Sequence, residues 1–299
     1  MVQRREGISP KDFAAAIGVS ESSIKRWVDQ GLLRAVRTAG GHRRIAPDEA
    51  QRWIREHRVT PVRPERLGLE PSTDAATGLS AHVETFYNHL FQGRAQEARS
   101  LGLRLFLGGH SVAAIGDELV SPAMVRLGTL WEGGDEGIVV EHRATDIALA
   151  VAKDLEGLVS EQRPRTRGLV AVGGALSGDP YLLAPMFAGV SLGEIGFHAT
   201  NLGPESPPHV LEHAAQRLGA RLVWVSVSVP PPPALLNDLR HLSERLAARE
   251  IALAVGGRHG DATQLTPRPN LATGKTLAEL VAFGRTIVPA PTPPPAVTR

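Results

Sequence analysis

The sequence predicts a multidomain protein: a small N-terminal domain built mainly of helices, a helical bundle, and a doubly wound parallel α/β domain. Three observations lead to this prediction. The chain has 299 residues, more than a single domain usually holds. Apolar residues recur at helical steps over residues 81–160, and short apolar runs alternate with helical stretches over residues 168–285.

The composition narrows the cellular setting and points to a charged partner. The absence of cysteine excludes disulfides, zinc–thiolate sites and thiol catalysis. The same absence fits a reducing cytoplasm, where we expect the protein to be. No apolar run reaches the roughly 18 residues of a membrane span, so we expect no membrane partner. Residues 1–66 carry 14 Lys and Arg against 8 Asp and Glu, whereas the rest carry 19 against 23. A basic end of this kind indicates a polyanion partner for that end.

The N-terminal domain is predicted from signals that start and stop helices. Ser9 is a predicted N-cap for a helix over residues 10–17, and Ser20 is one for a second helix over residues 21–30. A third helix is predicted over residues 48–58. A helix, a glycine turn and a second helix are typical of the helix-turn-helix motif.

The second helix and a following hairpin carry side chains suited to a nucleic acid. The hairpin is predicted over residues 32–45, with Gly40 and Gly41 at its tip. Short polar and arginine side chains on a recognition helix reach base edges, and donors around a hairpin tip suit phosphate oxygens. The predicted DNA-binding residues are Ser22, Ser23, Lys25 and Arg26 on the helix and Arg37, Thr38, His42, Arg43 and Arg44 on the hairpin.

The segment GVSESSIKRWVDQGLLRAVRTAGGHRRI resembles the MerR family of winged helix-turn-helix regulators, especially its members with a GGHRR wing. The resemblance covers about residues 7–57. It implies double-stranded DNA as a partner and transcriptional regulation as the function. Because such domains read half-sites through few phosphate contacts each, we expect at least two copies on one DNA. The C-terminal half is then expected to supply self-association to a dimer or a higher oligomer.

The middle of the chain is predicted to be a bundle of four helices, because leucine, isoleucine and valine recur there at three- and four-residue steps. Within it, Trp131 begins the segment WEGGDEGIVVEH, which ends in Glu141 and His142. From the residues alone two interpretations stay open. Either the three side chains line a cavity, or the tryptophan belongs to the core and the histidine bonds locally.

Four strands with crossover helices are predicted between residues 168 and 285, which indicates a parallel sheet. Open sheets of this kind bind ligands at the carboxyl ends of their strands.

The bundle with its W-x9-E-H pattern, followed by a parallel α/β domain, resembles the cobalamin-binding module of CarH/LitR-type photoreceptor regulators. The resemblance implies that Trp131, Glu141 and His142 contact the upper axial ligand of a cobalamin. It also places Asp179 at the acidic position of the family's D/E-x-H-x-x-G motif, with Tyr181 where that motif has its lower-axial histidine. The same resemblance implies that Ser226 and Ser228, at the end of the third strand, and Gly256 and Gly257, at the end of the fourth, are ligand-binding residues beside the nucleotide tail of a cobalamin. A neutral phenol is a poor cobalt ligand, so we expect no protein histidine as lower ligand and no metal site.

Three alternatives follow for the cofactor: cobalamin that keeps its own base, another flat or elongated ligand, or none. The implied function is a regulator whose C-terminal module senses a ligand and sets the oligomeric state. There are two alternative functions: a light or ligand sensor that depends on cobalamin or another tetrapyrrole, and a corrinoid enzyme subunit. Because the sequence contains no recognisable catalytic motif, we expect no enzyme. The predicted boundaries are 1–60 for the DNA-binding domain, 61–80 for a linker, 81–162 for the bundle, 163–286 for the α/β domain and 287–299 for a disordered tail.

Overall fold

A computed structural model of the protein describes residues 7–38, 40–56, 78–130, 134–162 and 168–288. The chain divides into two compact units, Met1–Gln162 and Arg163–Arg299. Most of the predicted linker and nearly all of the predicted tail lie outside the described residues. The last two residues of the predicted linker begin a short 3₁₀ helix, Leu79–His82.

The N-terminal part of the first unit combines helices with a two-stranded hairpin. Its elements are α1 (Pro10–Ile17), α2 (Glu21–Asp29), β1 (Val36–Arg37), β2 (Arg43–Arg44) and α3 (Pro47–Glu56). The Ser9 hydroxyl accepts the N–H of Asp12 at 3.0 Å, and the Ser20 hydroxyl accepts the N–H of Ser23 at 3.2 Å. Both predicted N-caps are confirmed, since each serine satisfies a donor that has no partner within its helix.

Aromatic packing holds these three helices together. The Trp53 ring of α3 stacks on Trp27 of α2 with 4.5 Å between ring centroids, and Phe13 of α1 meets it edge-on at 5.8 Å. Ile24 and Ile54 are fully buried in the same core. Burial of each such aliphatic side chain contributes about 1.5–3 kcal/mol. The core therefore determines which face of α2 stays exposed.

The remainder of the first unit is helical. Its elements are α4 (Val83–Phe91), α5 (Ala95–Leu107), α6 (Val112–Ala114), α7 (Ser121–Gly128) and α8 (Asp135–Gln162). A π-helical turn, Ile115–Val120, joins α6 to α7, and the sequence pattern does not predict it. At Gly102 the helix α5 lies so close to α8 that an added Cβ would come within 2.7 Å of Val151 Cγ1.

The second unit is a five-stranded parallel sheet with helices on both faces, which confirms the predicted fold class. The strands lie in the spatial order β4-β3-β5-β6-β7. They are β3 (Val170–Ala175), β4 (His198–Asn201), β5 (Leu222–Ser226), β6 (Ala252–Gly256) and β7 (Leu271–Gly274). The helices are α9 (Leu183–Glu194), α10 (Pro208–Leu218), α11 (Pro233–Ala247) and α12 (Leu277–Ile287).

Alternate residues of the central strand face opposite helical layers. Leu222 and Trp224 of β5 belong to the apolar core shared with α9 and α12, whereas Val223 and Val225 belong to the core shared with α10 and α11. A strand buried on both faces gives a continuous apolar run, which is why the sequence predicts β5. The sheet has a fifth strand, β7, whereas the sequence predicts four. The sequence pattern does not predict β7 because Leu271 is the one large apolar residue in it.

Candidate nucleic-acid interface and candidate ligand site

The buried carboxylate of Asp179 joins two loops at the carboxyl ends of the strands. Its Oδ1 accepts the N–H of Tyr181 at 3.1 Å, and its Oδ2 accepts the N–H of Ser228 at 2.5 Å. Asp179 is fully buried, whereas the Tyr181 side chain is 53% exposed. The two oxygens of the carboxylate thus stabilise the loops after β3 and β5, and about half of the Tyr181 side chain is accessible to solvent.

The remaining predicted ligand residues at the strand ends are packed against protein. Ser226 is buried at the end of β5. Gly257 follows β6 with φ of 109°, and a Cβ there would come within 2.8 Å of the Val227 carbonyl oxygen. At Gly256 a Cβ would come within 3.2 Å of the Gly274 carbonyl oxygen. The two glycines therefore allow neighbouring backbone segments to approach each other, a use that needs no ligand.

The Glu-His pair of the bundle lies in α8. Glu141 is 23% exposed and accepts the hydroxyl of Thr145 at 2.9 Å, one helical turn along. His142 is 76% exposed, and its Nε2 lies 3.7 Å from Glu141 Oε2. Trp131, the third predicted residue, lies outside the described residues.

The exposed face of α2 carries the predicted base-reading residues. Ser22, Lys25 and Arg26 are exposed, and Ser23 is half-buried beside the Ser20 hydroxyl, 2.9 Å away. Lys25 forms an ion pair of 2.9 Å with Glu21, one turn earlier on the same helix. We call α2 the recognition helix. Ile24 buries one face of this helix, whereas Lys25 and Arg26 stay exposed to solvent.

The hairpin of β1 and β2, which we call the wing, brings the other candidates together. Arg37 pairs with Arg43 in the antiparallel ladder, and the Thr38 N–H donates to the His42 carbonyl at 2.9 Å. Arg37, Thr38 and His42 are exposed, and Arg44 is half-buried. At the tip of the wing Gly41 has a φ of 77°, a conformation that glycine adopts at no steric cost.

Residues 8–58 match the helix-turn-helix domain family. The match confirms the predicted helix-turn-helix motif, and membership of its MerR-like winged branch stays a prediction. No curated protein matches the chain in sequence. None of the helices within the described ranges is both long and apolar enough to cross a membrane.

The fold of the longer part of the chain is similar to solved structures at low sequence identity. The monomethylamine corrinoid protein of Methanosarcina barkeri has a TM-score of 0.48 and 16% identity, over 68% of this chain and 97% of its own. A cobalamin-binding protein of Desulfitobacterium hafniense DCB-2 has a TM-score of 0.38 and 14% identity, over 71% and 98%. The methanol:cobalamin methyltransferase complex of M. barkeri has a TM-score of 0.33 and 14% identity, over 90% of this chain and 92% of its own. At these scores the likeness carries no ligand or activity over to this chain.

Arg43 of the helix-turn-helix domain is bound within the domain, to a residue that the sequence analysis did not single out. Its Nη2 donates to Asp29 Oδ1 at 2.6 Å, and its Nη1 donates to the Lys25 carbonyl at 3.3 Å. A carboxylate in the last turn of a helix is disfavoured by the helix dipole, and this was the available signal that Asp29 has a cationic partner.

The loop after β3 does not fit a cobalamin held by a protein lower ligand. Tyr181 offers a phenol, which is a poor cobalt ligand, and both carboxylate oxygens of Asp179 already accept backbone N–H groups. A histidine overlooked in the sequence, His259, does lie at this end of the sheet, in the loop after β6. Its N–H donates to the Val227 carbonyl at 2.9 Å.

Proposed function

We propose that the protein is a DNA-binding transcriptional regulator, in which the helix-turn-helix domain reads duplex DNA and the rest of the chain controls that binding. The observation that carries the proposal is the exposure of Arg26 on the recognition helix together with Arg37 on the wing, within a segment that matches a helix-turn-helix family. Neither guanidinium has a hydrogen bond or ion pair among the described residues, so both are free to bind DNA.

The two elements have different tasks in this proposal. The recognition helix enters the major groove, where Ser22 and Arg26 meet base edges and provide sequence preference. The wing lies along the backbone, where Arg37, Thr38 and His42 meet phosphate oxygens. Phosphate contacts supply most of the affinity and make it sensitive to salt, whereas base contacts select the site.

We further propose that the protein acts as a dimer or higher oligomer on DNA. One such domain presents few phosphate-binding side chains, and linking two copies on adjacent half-sites raises the affinity through the high effective concentration of the second copy. The bundle and the α/β domain are the parts available for self-association.

For the C-terminal part we propose ligand sensing. Two observations support it: the carboxyl ends of the strands are preorganised by Asp179, and Ile138 and Val139 expose apolar side chains near Glu141 on α8, at 40% and 57% exposure. A corrinoid that keeps its own base would need no protein ligand, which suits Tyr181. Another flat or elongated ligand is the alternative occupant, and the proposed role is regulatory rather than enzymatic.

The DNA proposal is tested by selection. Full-length protein is incubated at low salt with a library of duplexes carrying a randomised centre, and retained duplexes are sequenced. We expect enrichment of a repeated half-site, and Arg26→Ala should change which bases are enriched. A correctly folded protein that retains no duplex contradicts the proposal.

The ligand proposal is tested on the purified protein. Its absorbance spectrum and mass analysis are recorded as isolated and after addition of adenosylcobalamin, followed by removal of free cofactor. Retained corrinoid bands support a corrinoid sensor. A colourless protein with no retained small molecule contradicts ligand sensing and leaves control by a protein partner.

A further inference from the structure

We infer that Asp29 is a positioning residue for DNA binding, which acts by holding Arg43, and with it the wing, against the end of the recognition helix. The inference rests on the proposed DNA-binding function and assigns a role to a residue outside the predicted contact set. It also changes the role of Arg43 from a phosphate contact to a link within the domain.

The Arg43 side chain bridges one turn of the recognition helix through two hydrogen bonds. Arg43 is the first residue of β2, and its guanidinium reaches the carbonyl of Lys25 and the carboxylate of Asp29, four residues further along α2. The Arg43 side chain is 22% exposed, although it belongs to a wing whose other candidate side chains are mostly exposed. Two of its donors thus bind the last turn of α2, at the surface of the domain, where the Asp29 side chain is itself 61% exposed.

Charge supplies a second, independent argument. Arg37 lies directly opposite Arg43 in the ladder, and like charges at directly opposed positions destabilise a strand pair. Asp29 in turn lies at the end of a helix, where the dipole disfavours a carboxylate. The contact of 2.6 Å between Arg43 and Asp29 offsets both unfavourable placements at once.

The wing needs such an anchor because its own ladder is short. Its ladder pairs Val36 with Arg44 and Arg37 with Arg43, and a two-stranded hairpin by itself is marginally stable in water. Ile45, directly after β2, forms two backbone hydrogen bonds with Ile8, which anchor the base of the wing but not its tip. At its base, the Arg34 N–H donates to Glu49 of α3 at 2.7 Å. Arg43 provides the corresponding link to α2, nearer the tip, so that phosphate-binding Arg37 is held at a fixed distance from the groove-reading helix.

The first test needs no DNA. Amide hydrogen exchange of the full-length protein is followed by mass spectrometry on a peptide spanning the wing, in Asp29→Asn, Arg43→Gln and the reversed pair Asp29→Arg with Arg43→Asp. We expect faster exchange at the Thr38 N–H in each single variant and recovery in the reversed pair. Glu21→Gln, which removes the same charge from α2 at a site away from the wing, should leave this exchange unchanged. Unchanged exchange in Asp29→Asn overturns the inference.

The second test measures binding to a duplex enriched by the wild-type protein. Asp29→Asn removes a negative charge, so simple electrostatics predicts tighter binding, whereas loss of wing positioning predicts weaker binding. We expect Asp29→Asn and Arg43→Gln each to weaken binding about two- to fivefold, with an unchanged salt slope and recovery in the reversed pair. Tighter binding by Asp29→Asn, with a slope reduced by about one in Arg43→Gln, makes Arg43 a phosphate contact and overturns the inference.

The two tests also separate this inference from the proposed function. If Asp29→Asn speeds wing exchange but the wild-type protein enriches no duplex, the proposed function fails and the DNA-binding role of Asp29 fails with it, while the link between wing and helix stands. If the wild-type protein binds DNA and the exchange is unchanged, only the role of Asp29 is refuted.

Discussion

Asp179 and Ser228 form a hydrogen bond of 2.5 Å that ties the loop after β3 to the loop after β5. The buried carboxylate accepts two backbone N–H groups, that of Ser228 and that of Tyr181. In this chain the bond therefore stabilises the strand ends of the α/β domain by itself.

Replacing Asp179 with Asn should destabilise the α/β domain. The amide keeps one acceptor oxygen and turns a donor toward a backbone N–H, and a buried donor left without an acceptor costs about 1–3 kcal/mol. Urea unfolding followed by circular dichroism measures the loss. Asp238→Asn, at an exposed position on α11, is the matched control and should stay within about 0.5 kcal/mol of the wild type. Equal midpoints for the two variants would refute the structural role of Asp179.

Two glycine-to-alanine changes in the bundle should have opposite effects. At Gly102 the new methyl group meets Val151, and such overpacking costs about 1–3 kcal/mol, more than the roughly 1 kcal/mol gained from helix propensity. At exposed Gly157 of α8 a Cβ meets no atom within 4 Å, so alanine should stabilise the protein by about 0.5–1 kcal/mol.

The free energies of unfolding of both variants, measured against the wild type, test these two expectations. Combining Gly102→Ala with Val151→Ala should recover part of the stability that Gly102→Ala loses. If Gly102→Ala stabilises as much as Gly157→Ala, α5 and α8 do not approach closely at this position.

His89 should make the stability of the first unit depend on pH. Burial lowers the pKa of His89 below its ordinary value of 6.5, and the charge of Arg94 lowers it further. The unfolded chain therefore binds a proton more readily than the folded one, so stability is complete above pH 6.5 and falls as the pH drops below it, toward the folded pKa. Unfolding free energies measured from pH 7.5 to 5 should show a shallower decline in His89→Asn. If the unfolding free energies of the wild type and His89→Asn decline equally with falling pH, His89 is not the source of the pH dependence.

Arg37 should contribute to affinity without contributing to sequence preference. Arg37→Gln is expected to weaken binding to enriched and scrambled duplexes by similar factors, because a wing guanidinium meets phosphate. The slope of log K against log salt should fall by about 0.9, the value for one lost phosphate contact. A loss confined to the enriched duplex would instead place Arg37 at a base edge.

Cobalt coordination should distinguish Tyr181 from the family's histidine. With adenosylcobalamin added and the cobalt reduced to cobalt(II), we expect no electron paramagnetic coupling from isotopically labelled histidine in the unmutated protein, because a phenol is a poor cobalt ligand. Tyr181→His should introduce such coupling if corrinoid is retained. Labelled coupling in the unmutated protein would contradict the prediction and direct attention to His259.

Much of the fold could be predicted because its signals are local. The caps at Ser9 and Ser20 depend on residues three positions away, and the apolar run at β5 reflects burial on both faces of a strand. The helix-turn-helix pattern is likewise confined to one short segment. For the same reason the short strand β7 was missed, since its pairing with β6 is set by distant residues and leaves little apolar pattern in its own sequence.

The sequence by itself determined which residue types are present for a nucleic acid and that position 181 carries a tyrosine and not a histidine. Only the tertiary structure decided how those residues are used. Arg43 and Asp29 are 14 positions apart, and Asp179 and Ser228 are 49 apart, so no local pattern records either bond. The physical reason is that a charged side chain binds whichever opposite charge or buried donor the packing of helices and strands brings within reach.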